Sequence, residues 1–151
     1  MKLSPLLDKF ESLASWLQSP LLFAIHFYWG LAFAQDGWGK LTHLDKIVAY
    51  FSDLGIPMPR LNALMASSTQ LICGALLCVG LFSRLASVPL IGVMAVAYAT
   101  AERDALKAIF SDTDKFVTAT PFLFLLASLI VLAFGPGKIS LDYLFRRKSV
   151  T

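Results

Sequence analysis

Charge is what this chain has least of. Only 15% of its 151 residues are Asp, Glu, Lys or Arg, 57% are apolar, and the mean hydropathy is +0.69. A soluble domain carries about 25% charged residues. A globule this small could not cover itself with so few, and lipid is the alternative solvent. Cysteine is also scarce. Cys73 and Cys78 sit in one apolar run, and on a helix their spacing puts them roughly 140° apart, so they cannot bridge within it and read as packing residues. No CxxC or Cys/His metal pattern is present, nor any paired-carboxylate, nucleophile–base or phosphate-loop pattern. No haem, flavin or metal motif is evident, so the sequence contains no self-sufficient catalytic centre. The basic residues form no stripe that could follow a phosphate backbone, which argues against nucleic acid as a partner.

What is present is long runs without charge. Residues 12–35, 61–83, 85–101 and 116–137 contain no Asp, Glu, Lys or Arg. A hydrocarbon core takes about 20 helical residues, so the runs predict four membrane helices near 17–36, 61–82, 85–102 and 117–134. The expected fold is all-α: an integral membrane four-helix bundle with short interfacial helices, forming a single domain over 1–151. Pro20, Pro89 and Pro121 are expected in first turns, where a missing N–H costs least. The second and third helices should form a tight hairpin around Ser83-Arg84.

The flanking segments are amphipathic. Met1 to Gln18 interleaves Lys2, Asp8, Lys9 and Glu11 with Leu3, Leu6, Leu7, Phe10 and Leu13, which suits a membrane surface rather than a signal peptide. In the first connection, residues 37–60, Leu44, Ile47, Val48, Phe51 and Leu54 follow a helical period. Gly55 then fits a helix stop, and Pro57 and Pro59 prevent continuation. Asp104 to Phe110 predicts another short amphipathic piece, and Ser111 to Asp114 a cap for the fourth helix. Gly135-Pro136-Gly137 should turn the chain into a short surface helix over Ser140 to Arg147. The basic run Arg146-Arg147-Lys148 reads first as a topology anchor that places both termini in the cytoplasm, and second as an anionic-lipid contact.

Five residues stand out as polar candidates within or beside the membrane: His26, Gln70, Trp38, Lys40 and Arg84. His26 and Gln70 fall near the middle of the first two charge-free runs, a depth at which polar groups are costly and usually face protein or a water-filled cavity. His26 reads either as a histidine bonded to a neighbouring helix, or as a proton relay or donor to a quinone carbonyl. Gln70 shares a small, polar helix face with Ser67, Gly74 and Cys78, of the kind that packs helices together in lipid. Shared depth, and the cost of leaving either group unpaired, predict that His26 and Gln70 hydrogen-bond. Trp38 and Lys40 suit the interfacial belt or the mouth of a ligand site, and Arg84 an inside anchor.

Four segments carry a resemblance. Gly37-Trp38-Gly39-Lys40-Leu41, Leu54-Gly55-Ile56-Pro57, the stretch Gly74 to Ala86, and Phe134-Gly135-Pro136-Gly137-Lys138-Ile139-Ser140-Leu141-Asp142 resemble, in order and spacing, motifs of the DoxX family. The resemblance runs from about residue 20 to 147. Many relatives have arginine at the position of His26 and glutamate at that of Gln70. On the expectation that the two positions touch, this chain replaces a buried ion pair by two neutral groups. The family resembles the membrane subunit of thiosulfate:quinone oxidoreductase. That resemblance implies an accessory or quinone-interacting subunit of a membrane redox complex in the bacterial inner membrane, with a redox partner protein, quinone as the one cofactor, and homo-oligomers allowed. The alternatives are a non-catalytic scaffold or assembly factor for a partner protein and, third, a small transporter, which no broken-helix pair or inverted repeat supports.

Overall fold

The structure is a computed structural model that describes residues 4–148, with side chains described from 7 to 145. Met1–Leu3 of the amphipathic N-terminal segment and the side chains of the Arg146–Lys148 run lie outside the described residues. Helices follow one another as α1 (Ser4–Thr42), α2 (Leu44–Asp53), α3 (Pro59–Val79), α4 (Ser83–Thr100), α5 (Arg103–Lys107), α6 (Thr113–Thr118), α7 (Pro121–Phe134) and α8 (Leu141–Lys148). The all-α membrane architecture is as expected. The portion of α1 from Leu7 to Thr42, α3 and α4 are each long and apolar enough to cross a bilayer. The 14 residues of α7 are apolar but rise only about 21 Å, less than a hydrocarbon core of about 30 Å. The expected fourth span is thus shorter than 117–134, because the backbone turns extended at Ala119 and divides α6 from α7.

The first helix departs furthest from expectation. It does not stop at residue 36 but runs through Gly37-Trp38-Gly39 to Thr42, and α2 begins two residues later. Its 39 residues would extend about 58 Å. Residues 7–18 are exposed throughout, so this part of α1 stands clear of the bundle. Pro20 consequently lies inside a helix rather than in its first turn, and Pro89 also lies inside α4. Pro121 does start α7, where its missing N–H removes no helical bond.

Gly30 and Gly37 do not break α1, and they have a packing job. A Cβ on Gly37 would lie 2.6 Å from the Ser67 carbonyl oxygen, and one on Gly30 would lie 2.6 Å from the Cys78 Cα. From the opposite side, a Cβ on Gly74 would come 2.6 Å from the Ala34 nitrogen. The α1 and α3 backbones therefore touch along two turns. The small face anticipated on α3 is real: Ser67, Gln70 and Gly74 are buried. In lipid there is no hydrophobic force between helices, and close backbone packing supplies the attraction instead.

Phe33, Leu77, Leu90, Met94 and Val131 form the core where α1, α3, α4 and α7 converge, with Ile25, Cys73 and Phe124 around them. Trp29 and Phe33 both meet the Phe124 ring edge-on, at 5.0 and 4.7 Å between centroids. Most other large apolar side chains, Leu21, Ile72, Val88 and Leu129 among them, face outward as a lipid-exposed surface requires. At one end Tyr98 donates to the Phe116 carbonyl (2.9 Å) and stacks on that ring, tying α4 to α6. Asp112 caps α6 by accepting from the Lys115 amide. The predicted cap thus serves this short helix and not α7. Gly74→Leu should force α1 from α3 and cost about 1–3 kcal/mol or more, whereas Gly39→Ala, which meets nothing within 4 Å, should be neutral or stabilising. Unfolding midpoints in mild detergent would check both.

Candidate functional site: two polar constellations at opposite ends of one helix pair

His26 and Gln70 do not meet. Ten residues of α1, about 15 Å of rise, separate His26 from Asp36, and Gln70 bonds at the Asp36 level. The expected pairing fails because α1 and α3 are in register through Gly30, Gly37 and Gly74, which sets Leu77 and not Gln70 beside His26. The expectation that the two positions stand in for one buried ion pair fails with it, because they lie in two separate environments.

At the first end His26 is fully buried, with Nδ1 3.0 Å from the Leu77 carbonyl oxygen and Nε2 3.3 Å from that of Ile139. A neutral imidazole has one N–H, so it donates to one of these two carbonyls at a time. Leu77 is in the last turn of α3. Its carbonyl also accepts from the Gly80 amide, while the Leu81 amide reaches Leu76, the pattern of a glycine helix stop. Gly80 has φ +69°, as such a stop requires. The α3–α4 turn is thus Gly80–Phe82 rather than Ser83-Arg84.

The segment between α7 and α8 closes over this turn. Asp142 accepts from the Phe82 amide (2.7 Å) and the Ser83 amide (2.9 Å), and its own amide donates to the Gly80 carbonyl (2.9 Å). A carboxylate from α8 therefore satisfies amides at the start of α4 and complements its dipole. Arg84 donates to the Ala133 carbonyl (3.2 Å), satisfying an end of α7. His26, Asp142 and Arg84 clasp the turn, the strap and two helix ends together.

The other end holds a second constellation. Lys40 Nζ donates to Asp36 Oδ2 (2.7 Å) and to Gln70 Oε1 (2.9 Å), and Gln70 Nε2 donates to Asp36 Oδ2 (2.8 Å). The three side chains close a ring of hydrogen bonds. The α1–α3 contact at Gly37 is what brings them within reach. Lys40 and Asp36 are each about one-third exposed, whereas Gln70 is buried. The ring forms one wall of a chamber of about 650 Å³, otherwise mostly apolar. Tyr50 and Phe51 of α2, Met65 and Thr69 of α3, Val93 and Ala97 of α4, and Pro121 and Phe124 of α7 complete it. The interfacial helix α2, where sequence placed it, forms part of the enclosure. Trp38 is 61% exposed and does not line the chamber.

Of the five candidate residues, the structure brings Lys40 and Gln70 together at the chamber, puts His26 and Arg84 at the clasp, and leaves Trp38 outside both. Asp36 and Asp142 were not among them. Asp36 sits one helical turn before Lys40, the spacing of a helical ion pair, a signal lost once the helix was taken to end with the charge-free run. Asp142 closes the C-terminal motif of the resemblance, but no local spacing points to its partners, which lie 60 and 59 residues away.

Comparison with known proteins gives the family. The DoxX family profile matches residues 21–103, more than half of the chain. The chain belongs to the DoxX family. An uncharacterized membrane protein of Mycobacterium tuberculosis is 30% identical over 130 residues, which cover 82% of this chain and 80% of that protein. No solved structure matches. Within this DoxX chain, the matched span contains His26 and the whole Asp36–Lys40–Gln70 ring, while the strap that completes the clasp lies beyond it. Asp142→Ala should cost about 0.5–2 kcal/mol as a lost cap. It should speed amide exchange at Phe82 and Ser83 while leaving the Asp36–Lys40–Gln70 end unchanged, which residue-resolved hydrogen exchange in detergent would show.

Proposed function

We propose that this DoxX protein is a quinone-interacting accessory subunit of a redox assembly in the bacterial inner membrane, with both termini in the cytoplasm and a partner protein supplying the electrons. The observation that carries the reading is a mostly apolar chamber with the Asp36–Lys40–Gln70 ring in its wall, Glu102 being the other charged residue of the lining. A quinone needs apolar walls for its ring and tail and a donor for each carbonyl it anchors. Lys40 has three N–H donors, two of them engaged by Asp36 and Gln70, which leaves one for a carbonyl oxygen. The second Asp36 oxygen can accept from a quinol hydroxyl. The residues present therefore fit either redox form of such a ligand, and quinone, when bound, would supply the two-electron chemistry. The protein's own residues bind and orient: Lys40 donates, Gln70 and Asp36 fix its ammonium, and the apolar walls pack against ring and tail. His26, which had been a candidate donor to quinone, is engaged with backbone carbonyls at the clasp and does not line this chamber.

The test is quinone retained by the mildly extracted native protein, measured by mass spectrometry. Removing one charge-assisted hydrogen bond in Lys40→Met should lower retention about tenfold. Asp36→Asn combined with Lys40→Met keeps the wall neutral and should lower it as much, while Trp38→Ala should not change it. Equal retention by all variants would sink the assignment to this chamber. Absence of quinone, together with stoichiometric recovery of a soluble partner, would favour the scaffold role.

A further inference from the structure

We infer that the outer rim of the clasp end is a binding site for the headgroup of an anionic phospholipid, with Arg84 as its cation. Arg84 lies in the first turn of α4 and is exposed. Its guanidinium has five N–H donors, one of which reaches Ala133. The carboxylate beside it, Asp142, is already committed to the Phe82 and Ser83 amides. Among the described residues Arg84 forms no ion pair. It opens into a depression of about 740 Å³ between the α3–α4 turn, the end of α7 and α8, walled by Phe82, Leu85, Phe134 and Tyr143. Phe82, Leu85 and Phe134 are 62%, 72% and 63% exposed.

A cation set in an exposed apolar rim, at the end of membrane-crossing helices, has two unmet demands at once. The guanidinium calls for an anion, which it can engage through paired N–H groups. The rim calls for hydrocarbon. A free phosphate answers the first demand alone. A second copy of this chain docked by a two-fold axis would answer the second but bring another Arg84, and no free anion, to the same seam. An anionic phospholipid answers both, with its phosphate at Arg84 and its chains along Phe82 and Leu85. The strap then lies between this lipid and His26, so the site presses on the clasp from outside.

The test uses the full chain in nanodiscs of phosphatidylcholine, with and without phosphatidylglycerol. The unfolding midpoint should rise when phosphatidylglycerol is present. Native mass spectrometry should find that lipid retained, about tenfold less in Arg84→Gln than in the parent. Arg84→Gln also gives up its bond to Ala133, so the readout is the lipid-dependent increment in midpoint and not the midpoint itself. Arg84→Lys, which keeps the charge without the paired N–H groups, should retain part of the increment. Inorganic phosphate added to phosphatidylcholine nanodiscs should give none. The inference is overturned if Arg84→Gln keeps the full increment, if free phosphate reproduces it, or if neutralising Arg146, Arg147 and Lys148 alone abolishes it.

Discussion

The contact between the α1 and α3 backbones is the constraint on which the remainder of the structure depends. Two helices in lipid gain little by burying leucine, since the solvent is as apolar as the side chain. They gain by approaching closely, and here Gly30, Gly37 and Gly74 remove the side chains that would hold them apart. Close approach also sets a register to within one residue, and the register decides which polar groups can pair. One end receives His26 beside the last turn of α3, and the other receives Asp36 and Lys40 beside Gln70. Both constellations are consequences of the same line of glycines.

The two ends manage polarity in different ways. At the clasp the polar groups are chiefly backbone: carbonyls of Leu77, Ile139 and Ala133 and amides of Phe82 and Ser83. Each is an unfinished end of a helix or turn, answered by a side chain from elsewhere in the chain. At the chamber the three polar side chains answer one another and sum to no net charge. The first arrangement holds parts together, while the second presents a polar wall that costs little to keep in an apolar enclosure and retains donors for a visitor.

Much of this was legible in the sequence. Scarce charge and long apolar runs give an all-α membrane bundle, and the period of Leu44, Ile47, Phe51 and Leu54 locates α2. The Ser67–Gln70–Gly74 face is readable as a packing surface because helical spacing is local information. What was not legible is whatever depends on the relative height of two helices. Equal depth in two hydropathy runs suggested that His26 and Gln70 meet, but hydropathy cannot report a vertical offset set by glycines. The end of the charge-free run at residue 35 likewise read as the end of the helix, although α1 continues past it to Thr42. Asp36 was therefore taken for a boundary, when it is a member of the site.

The strap has a consequence for how the protein is made. The His26–Ile139 contact spans 113 residues, and Asp142 closes a turn 60 residues upstream. A chain emerging from the ribosome can insert α1, α3 and α4, and pair the glycine faces of α1 and α3, before residue 142 exists. Through that interval the α3–α4 turn remains uncapped and one neighbour of His26 is missing. Synthesis thus leaves the clasp end open until residues 139–142 arrive, while the groups of the Asp36–Lys40–Gln70 ring, all on α1 and α3, are made earlier. The ring can therefore close before the clasp, and the segment around Ile139 and Asp142 locks a helix whose His26 was made 113 residues earlier.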